Sequence, residues 1–375
     1  MEPYPRTWVE IDLEALVGNI AAVRARMPAG TEIALVAKAD AYGHGLIPVA
    51  RAASHAGTDW IAVATVQEGI ALRDAGVLRP VMVMSPILGL ESDQAVFYEL
   101  DVFVESTKMA RSLSEAAKQA GKQARLHLKV DTGLHRFGCD ARKAAGIAKE
   151  IAALPNVELI GIAQHFADSA QDSEYTNFQL SNFRTALLGC REKGLMFRYI
   201  QMANSAGAIK YPESRGNLVR IGIIAYGIDP FNLMDGEVKP VMKWFARLTS
   251  LRLLPAGAKV GYAGTFTTTR KTLIGTLSVG YGDGYGRALS NGGVVWINGQ
   301  RAPVVGLVCM DQMLVDLTEV QGVEVGGVAE LIGDNILVPE LAHAAGTNSH
   351  EIVTRIMTRV PKRYHYPKPE GLMAP

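Results

Sequence analysis

The sequence predicts an α/β protein in which an N-terminal (β/α)8 TIM barrel is followed by a C-terminal, mostly-β domain. Three observations carry that prediction. Between about residue 30 and residue 230, short apolar runs alternate with longer segments of helical period, the pattern of βα units and a parallel sheet. There are eight such runs, which over ~200 residues fits a closed barrel better than an open sheet. After about residue 238 the texture becomes β-rich, with hairpin-like turns and few helical intervals.

The barrel strands are expected at EIALVA (32–37), WIAVA (60–64), PVMVM (80–84), DVFVE (101–105), RLHLKV (125–130), VELIGIAQHF (157–166), RYIQMA (198–203) and NLVRIGIIAYG (217–227). Each is a near-continuous apolar run, as a parallel strand buried on both faces requires. The spacers GLIPVARAASHAG and KMARSLSEAAKQAG close on glycine after a helical stretch, as helix C-termini do. The second domain is expected from VMKWFARLTSLRLL, KTLIGTLSV, GGVVWING, QRAPVVGLV and QMLVDL, with Asn298-Gly299 as a hairpin turn. The last segment, NSHEIVTRIMTRVPKRY, returns to helical spacing until Pro361 stops it. The expected domains are therefore residues 1–238, with about the first ten residues able to pack on the β-domain, and residues 239–375.

Composition narrows the function. A chain of 375 residues with 48% hydrophobic content can bury a large core. Its 38 Lys and Arg balance 37 Asp and Glu, and no basic run suited to a phosphate backbone appears, so nucleic acid is not an expected partner. Cys139, Cys190 and Cys309 are odd in number and far apart, which argues against a disulfide framework or a zinc site and fits a reducing compartment. No segment has ~18 unbroken apolar residues, and the N-terminus carries acids and prolines where a signal peptide would need a basic start, so a cytoplasmic protein without a membrane span is expected.

In a (β/α)8 barrel, chemistry sits at the C-terminal ends of the strands. There the sequence offers Lys38 and Tyr42 after the first run, Lys129 and Asp131 at the end of the fifth, and Arg136 in its loop. His165 ends the sixth, Asn204 and Ser205 follow the seventh, and Arg220 lies in the eighth ahead of Gly222. An apolar barrel mouth disfavours the ammonium form of Lys38, and a desolvated lysine is a Schiff-base former, the attachment that pyridoxal phosphate uses. Taken alone, Lys38 reads more readily as a surface lysine in a strand-to-helix loop. Asn204-Ser205 at a helix N-cap, with the backbone N–H groups of Gly222 and Ile223, could hold a phosphate as barrels do after strands 7 and 8, and reads at least as readily as plain helix capping.

At this point VAKADAYGHG resembles the pyridoxal phosphate attachment signature of the alanine racemase family. The likeness continues in order through LKVDTGLHRFG, AQHFADS, ANSAGA, VRIGIIAYG, VGYAGTF, VGYGDGYGR and VCMDQ, over nearly the whole chain. It implies an N-terminal barrel, a β-domain and a head-to-tail homodimer with shared active sites. It implies that Lys38 holds pyridoxal 5′-phosphate and acts as one base on a small amino acid bound as an external aldimine. Tyr262, from the partner subunit, would be the opposite base, because inversion needs a proton removed on one face and returned on the other. A tyrosine is a poor base near neutrality unless cations stabilise its phenolate, and the resemblance links Tyr262 through His165 to Arg220 at the ring nitrogen. An arginine there cannot protonate that nitrogen, which should suppress transamination.

The resemblance further implies that Arg136 and the backbone of Met310, with Asp311 beside them, meet the substrate carboxylate. Tyr42 would donate to the phosphate, Tyr281 would line the access channel from the partner, and Lys129 matches a lysine that is often carbamylated. The implied reaction is interconversion of L- and D-alanine, supplying D-alanine for peptidoglycan.

One position departs from the family. His350, in TNSHEIVTRI, stands where a tyrosine usually contacts the phosphate and narrows the pocket. Imidazole is shorter, leaving room for serine or a larger side chain, and could add positive charge at mildly acidic pH. A broader-specificity or serine racemase is therefore the alternative. A pyridoxal phosphate-dependent decarboxylase and a non-enzymatic carrier of the cofactor are weaker rivals. The first expects an acidic group where Arg220 stands, and the second gives the β-domain no purpose. HEIVT lacks the second histidine of a zinc protease motif, and GYGDGYG lacks dinucleotide-site spacing, so no metal or nucleotide site is expected.

Overall fold

The computed structural model describes residues 5–366. Residues 1–4 and 367–375, the outer ends of the two expected domains, lie outside the described residues. The strands Glu32–Val36, Trp60–Val63, Val81–Val83, Asp101–Val104, Ala124–Asp131, Val157–Ala163, Tyr199–Gln201 and Leu218–Ile221 lie side by side in chain order, all parallel. The last pairs with the first, in the register Leu218 to Glu32. Between the seventh and eighth, the Asn217 N–H donates to the Ile200 carbonyl at 3.2 Å and the Arg220 N–H to the Ala203 carbonyl at 3.1 Å, so the barrel closes. Helices such as Leu46–His55 and Thr107–Ala120 cover it, the latter ending on Gly121 in the left-handed conformation. The apolar runs overstate two strands. Pairing stops at Ala163 and Ile221, and the residues beyond turn into the loops of the barrel mouth.

The second sheet is organised on Met242–Leu254, which pairs antiparallel with Thr7–Asp12, Thr272–Leu277 and Val328–Ile332. The first strand of the chain thus belongs to the second sheet, where it also pairs in parallel with Lys362–His365. Asn298 and Gly299 have φ of 48° and 80° between paired Ile297 and Gln300, as a two-residue hairpin of type I′ requires. The expected helix near the C-terminus is corrected. Of the segment expected to stay helical until Pro361, only Ser349–Thr354 is a helix, which caps at Arg355 before the chain turns; beyond the proline, Lys362–His365 is a strand paired with Val9–Asp12. One continuous apolar core runs through both parts.

Candidate functional site

A cavity of about 500 Å³ opens at the C-terminal ends of the barrel strands. It brings together Lys38, Tyr42, Lys129, Arg136, His165, Asn204, Ser205, Arg220, Gly222, Ile223 and His350. These come from five barrel strands or the loops after them, joined by one residue of the C-terminal segment.

Lys38 opens a turn of unusual hand. Ala39, Asp40, Ala41 and Tyr42 all have φ of 53–54°, a left-handed stretch that costs ~1–2 kcal/mol per residue for L-amino acids. Its surroundings hold it. The Ala39 N–H donates to Glu68 Oε1 at 2.6 Å, and Glu68 is itself fixed in the capping box of the helix Val66–Asp74. Asp40 accepts the Leu46 N–H at 2.8 Å and pairs with Lys362 at 2.7 Å. Gly43 then lets the chain pass so close to the Val353 carbonyl that a Cβ there would sit 2.1 Å from its oxygen. Burial, and secondarily the Arg136 charge, pull the Lys38 pKa below that of a free lysine.

Ser205, Gly222 and Tyr42 line the same cavity as Lys38. The Gly222 N–H donates to Ser205 Oγ at 2.9 Å, leaving the serine proton free for a ligand. The Tyr42 hydroxyl approaches the same backbone, and a Cβ on residue 222 would come within 2.7 Å of it. Asn204 caps the helix Ser205–Lys210, its Oδ1 taken by the Gly207 N–H and the Ser169 hydroxyl. Its side-chain acceptor is therefore spent on capping. His350 packs on the Tyr42 ring with centroids 5.6 Å apart. Burial, and then Lys38, lower its pKa, so the expected positive charge at mildly acidic pH is displaced to lower pH.

Arg220 is buried in the barrel, and burial pulls its pKa to about 10, still cationic at neutrality. Among the described residues, no carboxylate forms an ion pair with it. Its guanidinium donates to the Gln164 carbonyl at 2.7 Å and reaches His165 Nδ1 at 3.5 Å. Because arginine only donates, Nδ1 is the acceptor and Nε2 of His165 carries the proton. Burial, then Arg220, hold His165 well below the usual histidine range, in its neutral form. Lys129 and Arg136 flank the Phe137 ring at 5.4 and 5.3 Å. Burial and Arg220 lower Lys129 to about 7.

Four expected site residues lie apart from this cavity in the chain itself. Tyr262, Tyr281, Met310 and Asp311 sit on the second domain, and Tyr262 is 72% exposed. Asp311 pairs with Arg359 at 2.8 Å, and the Met310 carbonyl accepts the Gly282 N–H. Sequence reasoning missed Glu68 and Lys362, which hold the left-handed turn. The TVQE capping box was a visible signal for Glu68; Lys362 had none.

Residues 11–230 match the family model described as "Alanine racemase, N-terminal domain", and residues 241–364 match "Alanine racemase, C-terminal domain". The chain is 38% identical over 365 residues to an alanine racemase of Halothermothrix orenii, covering 96% of each. The solved alanine racemase of Streptomyces lavendulae superposes with a TM-score of 0.93 at 34% identity, over 98% of this chain and 99% of that one. The alanine racemase of Bartonella henselae, solved with covalently bound pyridoxal phosphate, superposes with a TM-score of 0.89 at 29% identity, over 96% of this chain and 100% of that one. Among the described residues, no helix is long and apolar enough to cross a membrane.

Proposed function

The chain belongs to the alanine racemase family, and from that premise we propose that it interconverts L- and D-alanine at the barrel-mouth cavity, using pyridoxal 5′-phosphate held there through Lys38. One observation carries this reading. A desolvated lysine, an anion cradle and a buried arginine without a carboxylate partner among the described residues line one cavity. The residues fit the cofactor: Ser205 and Tyr42 offer hydroxyls, Gly222 offers a backbone that any Cβ would close, and Lys38 offers the amine. When bound, pyridoxal phosphate draws electrons away from the substrate Cα and so acidifies its C–H bond.

The protein's residues then divide the remaining work. The lowered pKa of Lys38 puts more of it in the amine form, able first to attach the cofactor and then to accept or return the Cα proton on its own face. Arg220 keeps its protons, so at the ring nitrogen of a bound cofactor it would hold charge without giving up a proton. That restraint favours return of the proton to Cα over transamination. Arg136 lines the same cavity as a cation and would meet the substrate carboxylate.

The opposite face needs a second base. Tyr262 is exposed and remote from the cavity of its own chain, so the reading requires a homodimer in which each subunit lends Tyr262, with Tyr281, Met310 and Asp311, to its partner's cavity. Neutral His165 would join that tyrosine to Arg220. The product would supply D-alanine for peptidoglycan in the cytoplasm. His350 supports a second reading in which serine is also accepted, because imidazole fills less of the cavity than phenol.

The test is incubation of the cofactor-loaded protein with L-alanine in D₂O. Deuterium at Cα and loss of optical rotation without CO₂ are expected. Release of CO₂, or retention of both the Cα proton and the rotation, overturns the reading.

A further inference from the structure

Behind Arg220 the barrel interior holds a line of polar side chains with no part in the site described above. Gln201 is fully buried and lies between Arg220 and His127. Its Oε1 is 3.5 Å from Arg220 Nη1, and its Nε2 is 2.9 Å from His127 Nδ1. His127 is fully buried, and its Nε2 lies 3.4 Å from Oδ2 of the equally buried Asp101. The two atoms face each other without the geometry of a hydrogen bond, and neither has a hydrogen-bond partner among the described residues. The other oxygen, Asp101 Oδ1, accepts two bonds from Arg125, at 2.8 and 2.6 Å.

Donor and acceptor chemistry leaves this line one direction. A guanidinium only donates, so Gln201 turns its oxygen to Arg220 and its amide N–H to His127. His127 Nδ1 must then be an acceptor, and its proton sits on Nε2, the nitrogen nearer Asp101. The barrel is shaped around the imidazole. A Cβ on Gly161 would come within 2.0 Å of His127 Nδ1, and the pairing of the fifth and sixth barrel strands shifts register between Leu126 and His127. The acceptor end of the line, Gln201 Oε1, faces a buried cation that has no carboxylate partner among the described residues.

We propose that Asp101, His127 and Gln201 form a buried relay that orients Arg220 and steadies its charge at the cofactor ring, with Gln201 as the positioning residue. The proposal rests on the reading of Arg220 as the group at the ring nitrogen. The three residues touch neither substrate nor cofactor. They act by fixing which way the guanidinium faces and by placing an acceptor against it.

The relay is tested in two ways. In cofactor-free wild-type protein, ¹⁵N NMR of the histidine rings, with the His127 signals assigned by their loss in His127→Asn, should find His127 protonated at Nε2 and bare at Nδ1. A proton on Nδ1 overturns the relay, and this measurement does not depend on any variant retaining full stability. In cofactor-loaded protein, the pyruvate formed from L-alanine per racemisation event reports the transamination leak. Transamination moves the amino group to the cofactor aldehyde and releases the keto acid. Gln201→Leu should raise that ratio about tenfold, the change expected for loss of one hydrogen bond to a charged group. Gln201→Glu, which restores an acceptor toward Arg220, should bring it back toward the wild-type value. A folded, cofactor-binding Gln201→Leu protein with an unchanged ratio overturns the proposal. Failure of the wild type to racemise would appear in the deuterium experiment and leave the histidine tautomer untouched, so the two failures are distinct.

Discussion

Lys362 pairs with Asp40 at 2.7 Å across 322 positions of sequence, tying the strand that ends the second sheet to the left-handed turn beside Lys38. Lys362 is 13% exposed, so the pair is more shielded than an ordinary surface ion pair. Lys362→Met should leave the barrel intact and loosen the turn. The loss should be ~1 kcal/mol, read as an approximately fivefold weaker affinity for pyridoxal phosphate in a fluorescence titration. An unchanged affinity would mean that Glu68 and Gly43 hold the turn without it.

Tyr42 tests the cradle. Its ring is packed against Tyr226 at 5.0 Å and His350 at 5.6 Å, so Tyr42→Phe should fold normally and lose only the hydroxyl. A hydrogen bond to a phosphate oxygen is charge-assisted, and its removal should weaken cofactor binding about tenfold with little change in melting temperature. Equilibrium dialysis of the cofactor against wild type and variant decides between this and a purely structural tyrosine, for which affinity would not move.

Much of this site is legible in the sequence, because barrels place chemistry at strand ends and the polar residues stand just past the apolar runs. Lys38, His165 and Arg220 are found that way. The left-handed turn is not, since Ala39-Asp40-Ala41 carries no glycine or asparagine to signal positive φ and its conformation is imposed by Glu68 and Lys362 from elsewhere. Thr7–Asp12 falls largely within the first residues expected to be able to pack on the β-domain, but its partners there are not legible, because they lie more than two hundred residues away. The relay was visible only as polar letters, His127 and Gln201, inside apolar runs. Knowing that they meet required the closed barrel.

His350 sets a prediction about substrate. With the shorter imidazole against Tyr42, the wild type should use L-serine better relative to L-alanine than His350→Tyr does, by a factor of about ten if one extra polar group is accommodated. Because burial and Lys38 keep the imidazole neutral near pH 7, this ratio should stay flat from pH 7 to 8. Equal kcat/KM ratios for serine over alanine in the two proteins would remove His350 as the determinant.

Lys129 makes the chain's stability depend on pH. Its folded pKa is about 7 against 10.5 when unfolded, so between those values the unfolded chain binds more protons and stability rises with pH. The burial penalty is full below about pH 7 and gone above about 10.5. Lys129→Met should flatten the rise in melting temperature between pH 6.5 and 9 by about 4 °C. The neutral amine is also a nucleophile toward CO₂, losing a proton as the carbamate forms. A ¹³C signal from labelled bicarbonate that is absent in Lys129→Met is expected, and equal signals in both proteins would exclude carbamylation at this lysine.

The strongest test of shared sites uses two inactive proteins. Lys38→Ala removes the attachment point and one base, and Tyr262→Ala removes the opposite base. In a homodimer where each cavity takes Lys38 from one chain and Tyr262 from the other, a hybrid carries both lesions in one cavity and neither in its second. Random pairing makes half the dimers hybrids, each with one of two cavities whole, so co-expressed variants should recover about a quarter of wild-type activity per cavity. If Tyr262 served the cavity of its own chain, every hybrid cavity would carry one lesion and activity would stay at the level of the parents. Hybrids separated by two affinity tags that remain inactive would therefore remove Tyr262 from the partner's site.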